Sequence, residues 1–167
     1  MEISGSDQLE YYLSSLDELG EILIEADKVE SVGAGVLRLT LGTIMASKGV
    51  IFLYQKEKHE LSFLAAQGTD RAEPISPPKK LVENIKTHRY GHVFLENRPK
   101  WIAGNLQKQI IKSKIKVMLP LFHKENLLGI LGIGKKFMGE AYTDADLKIL
   151  EIIAPVSYTH LDAADEL

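Results

Sequence analysis

The sequence contains no cysteine, and this absence excludes several kinds of protein. Without a thiol the chain forms no disulfide framework, no thiolate metal site, no cysteine nucleophile and no thioether link to a chromophore. It also lacks an apolar run of the ~18 residues that a membrane span requires. Its N-terminus has neither the basic nor the apolar region of a signal peptide. We therefore expect a cytoplasmic protein that does not interact with a membrane.

The sequence has no excess of positive charge either. It has 20 lysines and arginines and 23 aspartates and glutamates, which gives a net charge of −3. A global basic surface for nucleic acid is therefore not expected. The length of 167 residues suits one domain with room for a helical extension.

The first third of the chain has helical periodicity. Residues 7–26 carry leucines at heptad-like spacing, which predicts an amphipathic helix. Its apolar stripe packs either on its own domain or on the same helix of a second subunit, and both interpretations stay open. A second helix is predicted over 27–46, where three glycines indicate close packing or a helix that bends easily. We divide the chain into an N-terminal signalling or dimerisation helix, 1–26, and a domain, 27–156.

The rest of the chain alternates between strand and helix patterns. Strands are predicted over 49–54, 61–66, 91–95, 114–122 and 127–134, and helices over 79–87, 101–112 and from residue 143 onward. Polar turns join two pairs of strands, which favours antiparallel pairing. The order predicts an α+β fold, with a central antiparallel sheet of about five to six strands and helices on both faces.

Two stretches resemble the closing section of a GAF domain. Residues 118–133 have that family's "P-L" strand, polar turn and "G-x-L" strand, and residues 142–150 are similar to the start of its last helix. Residues 48–54 and 61–68 are similar to its first hairpin, and 91–94 to its mid-domain strand. The resemblance covers about residues 9–156. It implies a GAF-like fold and a sensory or regulatory role in a bacterial signalling protein.

The resemblance also limits the chemistry. GAF domains bind cyclic nucleotides, tetrapyrroles, haem, small acids or nothing, and the missing cysteine excludes covalent tetrapyrroles and thiol-dependent methionine sulfoxide reduction. The cyclic-GMP subgroup carries Asn-Lys, Phe and Asp-Glu where this chain has Gly134-Lys135, Tyr142 and Asp146-Leu147. Gly134 and Leu147 do not match the Asn and Glu of that motif, so cyclic GMP is a minor alternative as the ligand. No nucleophile, acid–base or metal-ligand constellation is present, so we expect no enzyme activity and identify no cofactor.

A ligand site is expected on one covered face of the sheet. Alternation puts Val50, Phe52 and Tyr54 on one face of the first strand, and Leu64 and Ala66 on one face of the second. The resemblance implies that this is the ligand face. The candidate site also includes residues with other roles: Gln67 as a polar contact, Val82 and Trp101 as a lid, and Lys116 facing an anionic ligand. That these residues simply fill the core stays open.

The end of the chain has a different character. Residues 157–167 resemble the translated read-through of a sequencing adapter, so we expect them to be non-native and the natural protein to continue into an output domain. Two functions remain open. One is a sensory module that binds an unidentified small molecule without a covalent bond and is coupled to the terminal helices. The other is a ligand-free dimerisation or spacer domain. The terminal helices would act on a partner subunit, as a homodimer, or on the output domain, and both alternatives stay open.

Overall fold

The computed structural model describes residues 29–76, 83, 93–94, 104–123 and 126–165. In chain order the elements are α1 (Val29–Ile44), β1 (Gly49–Gln55), β2 (Glu60–Gln67), β3 (Val93–Phe94), α2 (Gly104–Lys112), β4 (Val117–His123), β5 (Asn126–Ile133) and α3 (Asp144–Asp165). The helix predicted over 7–26 lies outside the described residues, as does nearly all of the one predicted over 79–87.

The strands form one antiparallel sheet in the order β2-β1-β5-β4-β3. Four of them have seven or eight residues, and β3 has two. The α+β class and the antiparallel sheet are confirmed. The count of five to six strands and the helical cover of both faces stay predictions, because most of 77–103 lies outside the described residues.

The sheet divides two apolar clusters. On β1, Ile51 and Leu53 belong to the first core, whereas Val50 and Phe52 belong to the second. This alternation follows from the period of a strand, and it explains why β1 is apolar along both faces. The first core joins the sheet to α1 and α3, and the second core includes Leu106 and Ile110 of α2.

Gly33 brings α1 close to the sheet, which is the close packing that was one of the two interpretations of the helix glycines. A Cβ placed on Gly33 would lie 2.5 Å from Cδ2 of Leu64 on β2. A larger residue would therefore displace the leucine or the helix. Two buried threonines in the same helix are satisfied locally, since Thr40 and Thr43 donate their hydroxyls to carbonyls four residues earlier.

Pro120 lies inside β4 rather than at its end. It pairs with Ile130 of β5, one residue before the register shift between Leu121 and Phe122. On the other side of β4, β3 reaches only Val117 and Met118. Within the described part of the chain, the missing N–H of proline therefore faces no partner strand, which makes the position tolerable.

The helix α3 extends to Asp165, beyond the point where its apolar pattern weakens. Leu161 is fully buried in the first core. That residues 157–167 are non-native stays a prediction.

Candidate ligand site

A small apolar pocket lies between the sheet and α2. The sheet contributes Val50, Phe52, Met118, Ile130 and Gly132, and the other side consists of Leu106, Gln109, Ile110 and Ile115. Its volume is about 10 Å³, which is room for about one water molecule. The two sides therefore pack almost directly on each other.

Strand pairing brings the floor of this pocket together. Phe52 lies opposite Ile130, and Val50 lies opposite Gly132, which in turn lies opposite Met118 on β4. Cross-strand partners present their side chains on one face. Gly132 leaves the space that Ile115 occupies, because a Cβ at this glycine would lie 2.7 Å from Cδ1 of Ile115.

The polar side chain in this lining belongs to Gln109. Its Nε2 donates to the hydroxyl of Ser113 at 2.6 Å, and Ser113 is only 2% exposed. Gln109 lies in the last turn of α2 and Ser113 directly follows the helix, four residues later, which is why they meet. The amide could exchange this partner for a polar atom of a ligand.

Two of the predicted site residues, Val50 and Phe52, line the pocket. Tyr54 is two positions further along β1, where it is partly buried against the second core. Its hydroxyl forms a 2.9 Å hydrogen bond with Nδ1 of His59, and the two rings meet edge to face. Tyr54 is thereby attached to the β1–β2 turn.

The prediction that Leu64 and Ala66 share a face is wrong. The β1–β2 ladder pairs Ile51 with Ala65 but Phe52 with Phe63, so Leu64 is the extra residue of a β-bulge. Leu64 consequently points into the first core, while Ala66 packs against the second. A bulge shifts the alternation of side chains between the two faces by one residue. Leu64 therefore lies on the opposite face of the sheet from Phe52.

The remaining predicted residues are spread over different places. Gln67 is exposed at the end of β2, in a groove of about 480 Å³ beside α1. Val82 and Trp101 lie outside the described residues. Lys116 lines a larger cleft of about 770 Å³ at the end of the sheet. We call this the lysine cleft; its lining is Ser47, Lys48, Ile110, Ile111, Lys114, Ile115, Lys116, Lys135, Lys136, Phe137 and Gly139.

A buried ion pair anchors the loop between β5 and α3. Nζ of Lys136 lies 2.8 Å from Oδ2 of Asp146, and the two side chains are 8% and 1% exposed. Asp146 also accepts the backbone N–H of Thr143 at 2.8 Å, and its own N–H donates to the Thr143 hydroxyl at 3.1 Å. This reciprocal pattern is a capping box, which starts α3.

The ion pair uses a different lysine from the one that the sequence motif matched. Lys135 is exposed and lines the cleft, whereas Lys136 turns inward. Beside them, the Tyr142 hydroxyl donates to the carbonyl of Gly134. Burial, with a smaller contribution from the Asp146 carboxylate, raises the pKa of Tyr142 above its ordinary value.

The sequence reasoning missed most of the pocket wall. Met118 and Ile130 could have been found from alternation along β4 and β5, once β5 was paired with β1. Ile115 could not, because its position depends on how α2 ends. In the described ranges no group of three or more metal-ligating side chains occurs. The same ranges contain no helix long and apolar enough to cross a membrane.

Comparisons with known proteins identify the fold. No protein-family model matches the sequence, and no curated protein matches it. Among solved structures, the GAF domain of a phosphoenolpyruvate-protein phosphotransferase from Coxiella burnetii is 13% identical, with a TM-score of 0.69 and 98% of each chain covered. Residues 122 to 287 of a methyl-accepting chemotaxis protein are 14% identical, with a TM-score of 0.68, covering 89% of this chain and 97% of that one.

An enzyme has a similar fold. The free methionine-R-sulfoxide reductase from Neisseria meningitidis is 16% identical, with a TM-score of 0.66, covering 99% of this chain and 97% of that one. At these identities the likeness is one of fold. The chain thus has a GAF-like domain, which confirms the resemblance that its motifs indicated.

Proposed function

We propose that this GAF-like chain is a sensory or regulatory module of a signal-transduction protein that binds a small molecule without a covalent bond. Structural neighbours from a phosphotransferase and a chemotaxis protein support a signalling role. The observation that carries the proposal is the arrangement of the sheet: an apolar pocket lies on one face, and α1 and α3 lie together on the other.

The sheet offers a direct mechanical connection between the two faces. Val50 and Phe52 contact the pocket, and their neighbours Ile51 and Leu53 pack into the first core. A ligand that separates α2 from the sheet would shift β1, and closely packed cores transmit such a shift rather than absorb it. The helices α1 and α3 contact each other and different strands, so the shift would change their packing.

The pocket suggests the character of the ligand. Its described lining is apolar except for Gln109, and its present volume holds no more than a water molecule. A ligand would therefore be largely uncharged and would have to move α2 outward. We include Tyr54 and Ala66 at the β2 side of this site, and Val82 and Trp101 as its lid. We further propose a cytoplasmic homodimer joined through its terminal helices, with an output domain beyond this chain.

A thermal-shift screen of the purified chain against uncharged metabolites tests the proposal. A ligand at ~100 times its Kd should add about 2.7 kcal/mol to the free energy of unfolding. The Gln109→Leu variant should reduce the shift that a genuine hit causes. Gln107→Leu is the matched control, because this glutamine lies on the same helix but not in the pocket lining. Equal shifts in both variants would contradict the assignment of the pocket.

A second candidate function is a ligand-free dimerisation or spacer domain. The near absence of free volume between α2 and the sheet favours it. If no compound raises the unfolding temperature, and sedimentation shows a stable dimer, this second function is the better description. We do not propose reductase activity, because a chain without cysteine cannot carry out thiol chemistry.

A further inference from the structure

The lysine cleft is separate from the apolar pocket, although the two share Ile110 and Ile115 as a wall. It lies where β1 begins, where α2 joins β4, and where the chain leaves β5. Its volume of about 770 Å³ is within the range of small-molecule sites, roughly 300–1,000 Å³. The cleft is therefore large enough for a metabolite without any rearrangement.

Its lining is strongly cationic. Among the residues that the structure describes, five lysines and no acidic residue line the cleft. Asp146 neutralises Lys136 from behind, but the other four, Lys48, Lys114, Lys116 and Lys135, make no ion pair within the described part of the chain. The chain as a whole has a net charge of −3. About four uncompensated positive charges are thus concentrated in one concave place, and they raise the local concentration of anions.

One of these lysines occupies a strained backbone position. Lys114 has φ of 55°, in the left-handed region, two residues after the end of α2. The N–H of Ile115 bonds to the carbonyl of Ile110, and that of Lys114 to the carbonyl of Ile111, which is the Schellman arrangement. Glycine usually occupies this position. Lysine at this position has a conformational cost that glycine would not have.

Two exposed apolar side chains also line the cleft. Phe137 and Ile111 are 60% and 59% exposed. The backbone holds Phe137 in place, since its N–H donates to the carbonyl of Met45 at 2.7 Å. An exposed aromatic ring beside lysines offers a flat surface for the organic part of a ligand whose charged part faces the lysines.

We infer that the lysine cleft binds a small polyanion that carries phosphate groups. Lysine ammonium groups are compact donors that suit phosphate oxygens, and four of them favour a ligand with at least two negative charges. The lysines line a concave cleft and the chain has a net charge of −3, which together favour a small molecule over nucleic acid. The inference goes beyond the proposed function, because this site lies outside the apolar pocket.

Isothermal titration of the full chain with inorganic pyrophosphate at low ionic strength tests this inference. Pyrophosphate should bind more tightly than orthophosphate, and added salt should weaken the binding. Lys48→Gln and Lys116→Gln should each lower the affinity roughly three- to tenfold. Lys58→Gln is the control, since that lysine is exposed in the β1–β2 turn and should leave the affinity unchanged.

Three results would overturn the inference. They are no detectable heat of binding, the same affinity in the Lys116→Gln and Lys58→Gln proteins, and tighter binding of duplex DNA than of pyrophosphate at equal phosphate concentration. Circular dichroism of each variant confirms that it is folded. If the chain binds pyrophosphate but no uncharged compound, the lysine cleft is supported as a binding site and the proposed function is contradicted. If it binds an uncharged compound but not pyrophosphate, the proposed function is supported and the binding site in the lysine cleft is contradicted.

Discussion

Replacing Lys136 with methionine should destabilise the domain far more than the same change at the neighbouring Lys135. Methionine preserves most of the aliphatic stem of lysine and removes only the charge and its donors. The carboxylate of Asp146 then remains in a site that is 1% exposed, without the cation at 2.8 Å. Removal of one member of a buried ion pair costs roughly 3–5 kcal/mol.

The remaining contacts of Asp146 place the expected loss at the lower end of this range. The backbone N–H of Thr143 still donates to Oδ2 at 2.8 Å, and a hydrogen bond to a charged group offsets roughly 1.5–3 kcal/mol of the desolvation cost. We therefore expect Lys136→Met to lower the free energy of unfolding by about 3 kcal/mol. For a domain of this size that is a fall in Tm of roughly 6–12 °C.

The converse change, Asp146→Asn, leaves Lys136 buried without an anion. The amide oxygen of asparagine can still accept from Thr143, so the capping box is weakened rather than lost. In the double variant neither charge is buried alone. Its loss should therefore be smaller than the sum of the two single losses by more than about 1 kcal/mol.

Urea unfolding at pH 7, followed by circular dichroism, measures the unchanged protein, the two single variants, the double variant and a control. Lys135→Met is the matched control: the side chain is exposed, and the change should stay within about 0.5 kcal/mol. Equal stability of Lys136→Met and Lys135→Met would refute the reasoning. So would strictly additive losses in the double variant, since they would mean that the two groups do not interact.

Three further predictions concern single positions. Gly129→Ala should cost about 3 kcal/mol in urea unfolding, because its Cβ would collide with the backbone carbonyl of Phe52; a loss below about 1 kcal/mol would contradict this. Lys114→Gly should raise the free energy of unfolding by up to about 1 kcal/mol, because φ of 55° suits glycine, and should weaken pyrophosphate binding; a lower stability would show that the lysine is not strained. In Tyr142→Phe, the free energy of unfolding should decrease less steeply above about pH 10 than in the unchanged protein. The reason is that burial, and to a smaller extent the charge of Asp146, raise the pKa of Tyr142 in the folded state only. Its contribution is fully present below that pH and is lost as the unfolded tyrosine ionises, so an unchanged slope of the urea midpoint against pH would count against it.

The sequence predicted the elements well wherever periodicity is local. The helix over 27–46 corresponds to Val29–Ile44, and the strands over 49–54 and 61–66 correspond to Gly49–Gln55 and Glu60–Gln67. These patterns arise because core-facing side chains recur every 3.6 residues in a helix and every 2 residues in a strand. Neither spacing depends on knowing the partner element.

Features that leave no periodic signal in the sequence were not predicted. Residues 114–116 have a strand-like composition, but β4 begins at Val117 because Lys114 and Ile115 close the end of α2. Glycine usually marks the end of a helix in a sequence, and here a lysine occupies that position, so the sequence did not indicate where α2 ends. The choice of Lys136 over Lys135 likewise depends on the path of the chain after β5, which brings only one of two adjacent side chains to Asp146.

The β-bulge in β2 is another non-local feature, and it changes the contacts of three successive residues. Because Leu64 is the extra residue, it and Ala65 both point toward α1, which widens the apolar floor beneath that helix. Gly33 then provides the space for Leu64, so the bulge and the glycine depend on each other. The same shift leaves Ala66 on the side of the second core. One strand thus contacts the first core through two adjacent residues and the second core through the next, so β2, like β1, connects the two cores across the sheet.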